Sequence, residues 1–247
     1  MDLAPAERFS SRSEAYARGR PSYPPALLEL LGRECGVTPA SIVADIGSGT
    51  GLLSRLLLDF GCEVFGVEPN LDMRTAGEMA LVNYPRFHSV NGRAEATTLP
   101  DGSVDLVTAA QAFHWFEPAA TRAEFQRVLK PGGYVALIWN ERRVTPGFMT
   151  EYEDLQNRYA RERPHPSEAE FNAFFGNSAW RLETLPNSQM LDEEMLRARL
   201  DSSSWAPKPG DAAYEPMIAA LRRLFHAHAR DGRVVMEYET RVYYGWL

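Results

Sequence analysis

The feature that most constrains the fold is a short apolar segment that runs directly into a glycine-rich turn. Residues Ile42–Ile46 have the composition of a buried strand, and glycine occupies alternate positions of the segment Gly47–Gly51. A second apolar segment, Val64–Val67, ends next to Glu68, which lies nineteen residues after the middle glycine. In open α/β sheets, such glycines let the backbone approach a ligand, and such an acid accepts hydrogen bonds from ribose hydroxyls. The pattern therefore predicts a site for an adenosine-containing ligand.

The spacing of the glycines distinguishes between the ligands of this kind. A dinucleotide turn has the spacing G-x-G-x-x-G, and its third glycine lets the helix pack closely below a pyrophosphate. This chain has Leu52 at that position, and no Gly-Lys-Ser/Thr sequence of a P-loop follows the turn. Asp45 places a carboxylate directly before the first glycine, where it would repel a pyrophosphate but tolerate a cation. These features favour S-adenosylmethionine, which carries a sulfonium and an ammonium group.

Three further segments follow the glycine turn at intervals: Gly92–Glu95, Val104–Val107 and Lys130–Gly133. With them, the chain resembles the class I S-adenosylmethionine-dependent methyltransferases. Asp45–Gly51 matches the first motif of that superfamily without departure. The three later segments are similar to its adenine-side loop, its fourth strand and the turn before its fifth strand. The resemblance covers roughly residues 38 to 140.

Two aromatic segments narrow the resemblance. These are Ala112–Phe116 and an N-terminal segment that contains Tyr16 and Arg20–Pro24. Both are similar to segments of the trans-aconitate methyltransferase-like branch, which acts on small molecules that are often carboxylates. The resemblance therefore implies a small-molecule acceptor.

The alternation of apolar strands and amphipathic helices predicts an α/β fold with a parallel sheet and helices on both faces. The resemblance implies a Rossmann-like class I methyltransferase with seven strands, one of them antiparallel between the fifth and the sixth, and a helical cap. The predicted strands are Ser41–Ile46, Glu63–Val67, Phe87–Val90, Val104–Ala109, Tyr134–Trp139, Thr184–Met190 and Arg233–Tyr244. The predicted helices are Gly51–Phe60, 70–82, 118–129, Tyr152–Arg161, Glu168–Phe175, Glu193–Leu200 and Ala213–Ala229.

The chain is predicted to form a single domain, 1–247. Its core comprises about residues 36–140 and 183–247, and the cap comprises about residues 1–35 and 141–182. The hydrophobic fraction of 45% and the charged fraction of 24% are typical of a soluble globular protein. Two cysteines and the absence of a signal-like or membrane-spanning segment favour the cytoplasm. The net charge of −7 argues against nucleic acid as the main partner.

The predicted cofactor site includes the turn, the acid after the second strand and the loops after the third and fourth strands. Glu68 is expected to bind the ribose, and Asp45 either holds the turn or meets the ammonium group. Related sequences often have an aspartate where this chain has Arg93, and arginine cannot accept a bond from the adenine amino group. Ala94 and Glu95 are therefore expected to act through their backbone. The predicted cofactor-binding residues are Asp45, Gly47, Ser48, Gly49, Gly51, Glu68, Pro69, Ala94, Glu95 and Gln111.

The acceptor site is predicted at the carboxyl ends of the fourth and fifth strands, where open α/β sheets bind ligands. A carboxylate acceptor is already a nucleophile at pH 7 and needs no base, whereas a hydroxyl or amine usually needs one. His114 is the candidate for that base. The predicted substrate-binding residues are Tyr16, Arg20, Tyr23, Trp115, Trp139 and Arg142. The arginines suit an anionic acceptor because a guanidinium binds carboxylates bidentately.

Several alternatives stay open. A nucleic-acid methyltransferase would need an Asn/Asp-Pro-Pro-aromatic element where this chain has Gln111–Trp115. A nicotinamide-dependent oxidoreductase is disfavoured by Leu52. A catalytically silent regulatory protein that binds S-adenosylmethionine would have the same turn. The five histidines are scattered, so no metal site is predicted, and no membrane partner is expected.

Overall fold

The computed structural model describes residues 19–159, 166–176, 180–203 and 206–247. Its seven-stranded sheet has the order β3-β2-β1-β4-β5-β7-β6. Strand β7 is antiparallel to both of its neighbours, and the other strands run parallel to one another. The strands are β1 Ile42–Ile46, β2 Glu63–Val67, β3 Phe87–Val90, β4 Val104–Ala110, β5 Leu129–Arg142, β6 Arg181–Leu191 and β7 Val234–Gly245. This topology confirms the predicted fold class.

The α-helices are α1 Ala26–Cys35, α2 Leu52–Phe60, α3 Leu71–Ala80, α4 Pro118–Val128, α5 Phe148–Tyr159, α6 Glu168–Phe175, α7 Glu193–Asp201 and α8 Tyr214–His228. Helices α2 to α8 correspond to the predicted helices, whereas α1 was not predicted as a helix. Asn70 begins α3 as predicted, because its side chain accepts a hydrogen bond from the N–H of Met73 at 2.9 Å. Gly61 ends α2 in the left-handed conformation, at φ 110°.

Strand β5 is longer than predicted. It begins at Leu129 and ends at Arg142, whereas the sequence predicted Tyr134–Trp139. Its pairing with β4 shifts register between Val104 and Leu106, so the glycine-containing segment Lys130–Gly133 is an irregularity at the start of the strand. The extension at the other end is supported by antiparallel pairing with β7 up to Arg142.

Helix α1, which the prediction assigned to the cap, packs on the sheet. Its buried residues Leu27, Leu30 and Leu31 belong to the same apolar cluster as Val43 of β1 and Leu57 of α2. The helix therefore covers one face of the sheet together with α2. The division of the chain into core and cap otherwise stays a prediction.

The segment between β5 and β6 divides between two apolar clusters. Helix α6 joins the cluster on the second face of the sheet, where Phe171 stacks on Tyr243 with ring centroids 4.1 Å apart. Helix α5 packs instead with α7 and α8 in a third cluster, which includes Tyr152 and Tyr238. In the part of the chain that the structure describes, no helix has the length and apolar composition that crossing a membrane requires.

Candidate active site

The glycine turn connects β1 to α2 and is hydrogen-bonded to the end of β2. The N–H groups of Gly47 and Ser48 both donate to the carbonyl of Val67, at 2.8 and 3.2 Å. Gly47, Gly49 and Gly51 have φ values of 69°, 57° and 81°, which L side chains rarely adopt. The turn therefore needs glycine at all three positions.

Neighbouring segments approach this turn closely. A Cβ atom on Gly47 would lie 2.6 Å from the Cβ of Ala112, in the loop after β4. A Cβ atom on Gly51 would lie 2.7 Å from Leu81, and one on Gly77 of α3 would lie 3.0 Å from the carbonyl oxygen of Gly49. The turn is thus held between α3 and the loop after β4.

Glu68 lies beside the turn and is 8% exposed. Its Oε2 accepts the N–H of Gly49 at 3.0 Å, and its Oε1 accepts the N–H of Asn70 at 2.8 Å. Burial raises the pKa of this carboxyl above its ordinary value, and the two N–H donors act in the opposite direction. Two backbone groups therefore fix the orientation of the carboxylate.

The Glu68 carboxylate fits the ribose of S-adenosylmethionine by its acceptor capacity. An ionised carboxylate has about four lone-pair sites. The described contacts use one donor at each oxygen, so each oxygen can accept a further hydroxyl group. The glycines at positions 47, 49 and 51 leave the backbone of the turn without side chains at those positions. In open α/β sheets, such a carboxylate accepts hydrogen bonds from ribose hydroxyls, and such a backbone lets the nucleoside approach closely.

Asp45 is directed into the domain and is 1% exposed. The Ser54 hydroxyl donates to its Oδ2 at 2.6 Å, and the Thr108 hydroxyl donates to its Oδ1 at 3.0 Å. Burial raises the pKa of Asp45 to about 6, although both hydroxyls act to lower it. These contacts favour the role of holding the turn, and contact with an ammonium group stays a prediction.

The loop after β3 is closed by a two-residue bridge. Arg93 and Ala96 exchange both backbone hydrogen bonds, and the Arg93 side chain is 77% exposed. Oε1 of Glu95 accepts the N–H of Glu117 at 2.9 Å, which connects the loop to the start of α4. Ala94 is 4% exposed and belongs to the apolar cluster of this face. The carboxylate of Glu95 is thus used within the protein, and the expectation that this loop binds the cofactor through its backbone stays a prediction.

A small pocket lies beside the glycine turn at the carboxyl ends of β4 and β5. The N–H of Gln111 donates to the carbonyl of Ile138 at 2.8 Å, and its side-chain amide donates to the carbonyl of Asn140 at 3.2 Å. Gln111 itself has φ 57°, a strained value for a residue with a side chain. The pocket is lined by Arg20, Pro21, Tyr23, Leu52, Gln111, Asn140 and Arg199.

The N-terminal wall of this pocket is held by amide side chains. Asn140 and Asn187 both donate to the carbonyl of Ser22, at 3.2 and 2.8 Å. Gln189 donates at 3.4 Å to the carbonyls of both Gly19 and Arg20. Residues of β5 and β6 thereby position the segment that brings Arg20 and Tyr23 to the pocket.

Three of the predicted site residues lie elsewhere. Trp139 is 3% exposed and packs edge-on against Phe113 and Phe171, on the sheet face opposite Asn140. Trp115 lies in the 3₁₀ helix Phe113–Trp115, with its ring centroid 4.8 Å from that of His114. His114 is half-buried and does not line this pocket. The predicted contact of the acceptor with Trp139 therefore finds no support, because the ring faces the core.

Arg142 and Pro69 were also predicted as site residues, and both lie in the described part of the chain. Arg142 directs its guanidinium to Glu153 of α5, with Nε and Nη2 each 2.9 Å from Oε2. Pro69 is exposed next to Glu68. Tyr16 lies outside the described residues, so its predicted contact with the acceptor stays a prediction.

Sequence analysis did not single out Arg199, which is 4% exposed and lines the pocket from α7. A signal was present, because Arg199 lies three positions after Leu196 and next to Leu200, both of which are fully buried. A residue at that spacing lies on the apolar face of the helix. A buried arginine on such a face is unusual and indicates a specific role.

A metal ion would need a cluster of suitable ligands. Within residues 19–159, 166–176, 180–203 and 206–247, no group of three or more His, Cys, Asp or Glu side chains is arranged to hold one.

Comparison with known sequences identifies relatives of this chain. A family model described as a methyltransferase domain matches residues 44–137. An uncharacterized methyltransferase-like protein of Schizosaccharomyces pombe is 30% identical over 217 residues, which are 86% of this chain and 84% of that protein. An uncharacterized methyltransferase of Mycobacterium tuberculosis strain H37Rv is 40% identical over 152 residues, or 61% of this chain. The match spans 59% of that relative's length.

One relative and one solved structure add detail. A malonyl-[acyl-carrier protein] O-methyltransferase of Marinomonas is 29% identical over 157 residues, which are 62% of this chain and 57% of that protein. Among solved structures, a putative methyltransferase from an antibiotic biosynthesis pathway of Anabaena variabilis aligns with a TM-score of 0.63 at 22% identity. The alignment covers 93% of this chain and 99% of the other, so the two chains share a fold.

Proposed function

The chain belongs to the S-adenosylmethionine-dependent methyltransferases, and we propose that it transfers a methyl group from S-adenosylmethionine to an oxygen of a small acidic molecule. The single observation that carries the proposal is the placement of Glu68. This buried carboxylate is held by the N–H of Gly49 in the glycine turn and retains capacity for two hydroxyl donors.

The proposal of a carboxylate or related oxygen as acceptor depends on the charge of the pocket. Arg20 and Arg199 line it, and Arg142 lies near Arg199 at the end of β5. Guanidinium groups bind carboxylates through two parallel hydrogen bonds, so such a pocket favours anions. The Marinomonas relative is named for methyl transfer to an oxygen of a malonyl group, which is consistent with this acceptor class.

The chemistry asks the protein mainly for positioning. Bound S-adenosylmethionine would supply an electrophilic methyl group whose leaving group departs neutral. The glycine turn and Glu68 would hold the nucleoside, and Gln111, Tyr23 and the arginines would orient the acceptor. Well-aligned reactants gain up to about 7–11 kcal/mol from such positioning. An ionised carboxylate needs no proton removed, so no residue has to act as a base.

A ligand titration followed by a transfer assay tests the proposal. We expect S-adenosylmethionine and S-adenosylhomocysteine to raise the melting temperature, because a ligand at 100 times its Kd stabilises the folded state by about 2.7 kcal/mol. NAD and ATP should leave the melting temperature unchanged. Stabilisation by NAD, with no effect of either sulfur compound, would contradict the proposal.

Incubation with donor labelled in the methyl group and a panel of small acids should then yield labelled esters. Tight binding of the donor without transfer to any member of a broad panel would favour a catalytically silent binding protein. Transfer to nucleic acid in preference to the acids would favour the nucleic-acid alternative.

A further inference from the structure

Arg74 joins the ends of two strands beside the glycine turn. It extends from the first turn of α3, and its Nη1 donates to the main-chain carbonyl of Glu68 at 2.9 Å and to Oδ1 of Asn91 at 3.2 Å. Glu68 directly follows β2, and Asn91 directly follows β3. The guanidinium therefore bridges the carboxyl ends of neighbouring strands at the position where Glu68 is held.

The contacts of Arg74 differ from those of an ordinary surface arginine. Its side chain is 15% exposed, and its Nε lies 3.8 Å from Oε1 of Glu78 on the same helix. Glu78 is itself exposed and accepts the Ser89 hydroxyl at 2.6 Å. Exposed ion pairs of this kind contribute little to stability. The closer contacts of the guanidinium are those with the strand ends, which indicates that it holds them together.

Helix α3 gives Arg74 a fixed position relative to the glycine turn. The side chain of Asn70 begins the helix by accepting the N–H of Met73 at 2.9 Å, and Met73 is buried. Gly77, one turn later, packs on the glycine turn so closely that an added Cβ would lie 3.0 Å from the carbonyl oxygen of Gly49. The start and the middle of α3 are thus both anchored beside the turn.

Two charged groups act on the buried carboxyl of Glu68 from neighbouring elements. Burial raises the pKa of Glu68 above its ordinary value, whereas the N–H groups of Asn70 and Gly49 and the positive charge of Arg74 act to lower it. The negative charge of Asp45, on β1, acts to raise it. Arg74 therefore opposes both burial and the neighbouring carboxylate.

The charge of Glu68 matters for binding of the donor. An ionised carboxylate only accepts hydrogen bonds, and bonds to it are roughly twice as strong as bonds to a neutral group. A protonated carboxyl loses this advantage, because one of its oxygens carries a proton. Since burial raises the pKa of Glu68, donor affinity should be full at neutral pH and should fall as the pH falls through that pKa.

We propose that Arg74 is a positioning residue of the donor site, which fixes the main chain at Glu68 and supplies the positive charge that balances the buried carboxylate. The inference rests on the proposed function and goes beyond it, since Arg74 acts on the donor through Glu68 and not by contact. It predicts that the charge of Arg74 sets the pH at which donor binding is lost.

Isothermal titration calorimetry with S-adenosylhomocysteine between pH 4 and pH 8 tests the proposal. A nearby opposite charge lowers the pKa of a carboxyl by about 1–3 units. Arg74 contacts the carbonyl of Glu68 and not the carboxylate, so we expect the midpoint of the loss of affinity to rise by about half a unit to one unit in Arg74→Gln. Arg74→Lys keeps the charge and should restore most of the shift. An unchanged midpoint in Arg74→Gln would overturn the proposal, and so would an affinity of the unaltered protein that stays constant down to pH 4.

Arg86→Gln is the matched control. Arg86 also donates to main-chain carbonyls, those of Pro39 and Gly61, but it lies directly before β3, at the opposite edge of the sheet from Glu68. Its midpoint should equal that of the unaltered protein. An equal shift in Arg86→Gln and Arg74→Gln would overturn the assignment, because loss of any positive charge would then suffice.

Asp45 titrates in the same range of pH but does not obscure the comparison. Burial and the hydroxyls of Ser54 and Thr108 set its pKa, so its contribution should be the same in every profile.

Two further results separate the possible failures. If the unaltered protein binds no S-adenosylhomocysteine at any pH, the proposed function is wrong, whereas binding with an unchanged midpoint in Arg74→Gln contradicts this inference alone. If Arg74→Gln does not fold, Asn91→Ala removes one acceptor of the guanidinium at an exposed position and leaves the arginine in place. That variant should raise the midpoint by a smaller amount, and an unchanged midpoint would count against the proposal.

Discussion

The two sides of the cleft hold their charged groups in different ways. On the proposed donor side, Glu68 is fixed by backbone N–H groups of Gly49 and Asn70, nineteen and two residues away in the chain. On the proposed acceptor side, Arg199 donates to the side-chain hydroxyls of Tyr238 and Ser203. The pocket around Arg199 also includes residues near positions 20, 52, 111 and 140.

This difference indicates how each side can change. Backbone groups are present whatever the side chain, so the donor site persists as long as the turn keeps its conformation. The acceptor site depends on side chains from distant segments, and single substitutions there can alter its shape and charge. We therefore expect substitutions to separate binding of the donor from binding of the acceptor.

The largest effect is expected from Gly47→Ala. Alanine at φ 69° would be strained, and its Cβ would lie 2.6 Å from the Cβ of Ala112. The left-handed conformation costs roughly 1–2 kcal/mol, and overpacking adds typically about 1–3 kcal/mol. We expect loss of measurable donor binding and a lower free energy of unfolding, measured by urea denaturation.

Gly102→Ala is the control for Gly47→Ala. Gly102 has φ 56°, but no atom lies within 4 Å of the added Cβ. It should therefore show only the conformational cost and bind the donor normally. Equal destabilisation by the two substitutions would show that the contact with Ala112 is unimportant.

Glu68→Gln should weaken binding of S-adenosylmethionine about a hundredfold. Hydrogen bonds to a charged group contribute about 1.5–3 kcal/mol each, and two ribose hydroxyls would lose the charged partner. Calorimetric titration measures the Kd. Glu63→Gln, at the start of the strand that Glu68 follows, should change it little, because Glu63 pairs with His88. A Kd of Glu68→Gln within threefold of the unaltered value would remove the basis of the donor site.

Asp45→Asn should change the dependence of stability on pH. Burial raises the pKa of Asp45 from 3.8 to about 6, so the folded state binds this proton more tightly than the unfolded state does. The contribution of Asp45 to stability therefore falls as pH rises through this range, by about 3 kcal/mol in total. Urea denaturation at pH 4, 5, 6 and 7 should show this fall for the unaltered protein and not for the variant.

The exposed Asp72 on α3 provides the control substitution, Asp72→Asn, for the pH series. A constant difference in stability between Asp45→Asn and the unaltered protein across that series would contradict the raised pKa.

Gly19→Ala should affect the acceptor side alone. The new Cβ would lie 2.4 Å from the backbone N of Arg199 and 2.6 Å from the backbone C of Ala198, so the N-terminal segment must shift. We expect the acceptor KM to rise about tenfold, since a shift of about 1 Å in a positioned group can cost that much or more. Gly32→Ala is the control, because its Cβ would lie 3.4 Å from the carbonyl oxygen of Val37. A parallel loss of donor affinity would show that the two sides are coupled.

The smallest effect is expected from His114→Gln. General-base catalysis contributes typically about 10²–10⁴-fold, but an ionised carboxylate acceptor has no proton to lose. We expect kcat to fall less than about tenfold and the pH profile to keep its shape. A fall of a hundredfold or more, with loss of one limb of the profile, would assign a base role to His114 and argue for a hydroxyl or amine acceptor.

Most of the fold was predictable because its elements have local signals. The periods of apolar residues, the cap at Asn70 and the glycine after α2 locate helices and strands to within a few residues. The start of β5 was predicted five residues too late. Lys130–Gly133 has the composition of a turn, but it lies within β5 where the pairing with the first residues of β4 is irregular. Side-chain composition alone does not distinguish a turn from an irregular strand end.

The residues of the candidate site likewise divide into those that a local sequence pattern placed and those that it did not. Asp45 through Gly51 and Glu68 belong to one β1–turn–α2–β2 unit, so their proximity follows from the parallel pairing of β1 with β2. Trp139 was predicted to line the acceptor pocket, but alternation along β5 places it on the face opposite Asn140. One position along a strand was enough to move a side chain from the pocket to the core.

The sequence by itself determined the α/β sheet and the glycine turn of the proposed donor site, because both arise from short-range periodicity and from glycines whose φ angles L side chains rarely adopt. Only the tertiary structure decided which residues line the proposed acceptor pocket. Arg199, Arg20 and Asn140 are far apart in the chain, and they meet because α7, the N-terminal segment and β5 pack at one end of the sheet. Contacts of such separation depend on how whole elements pack, and no local pattern of residues encodes that.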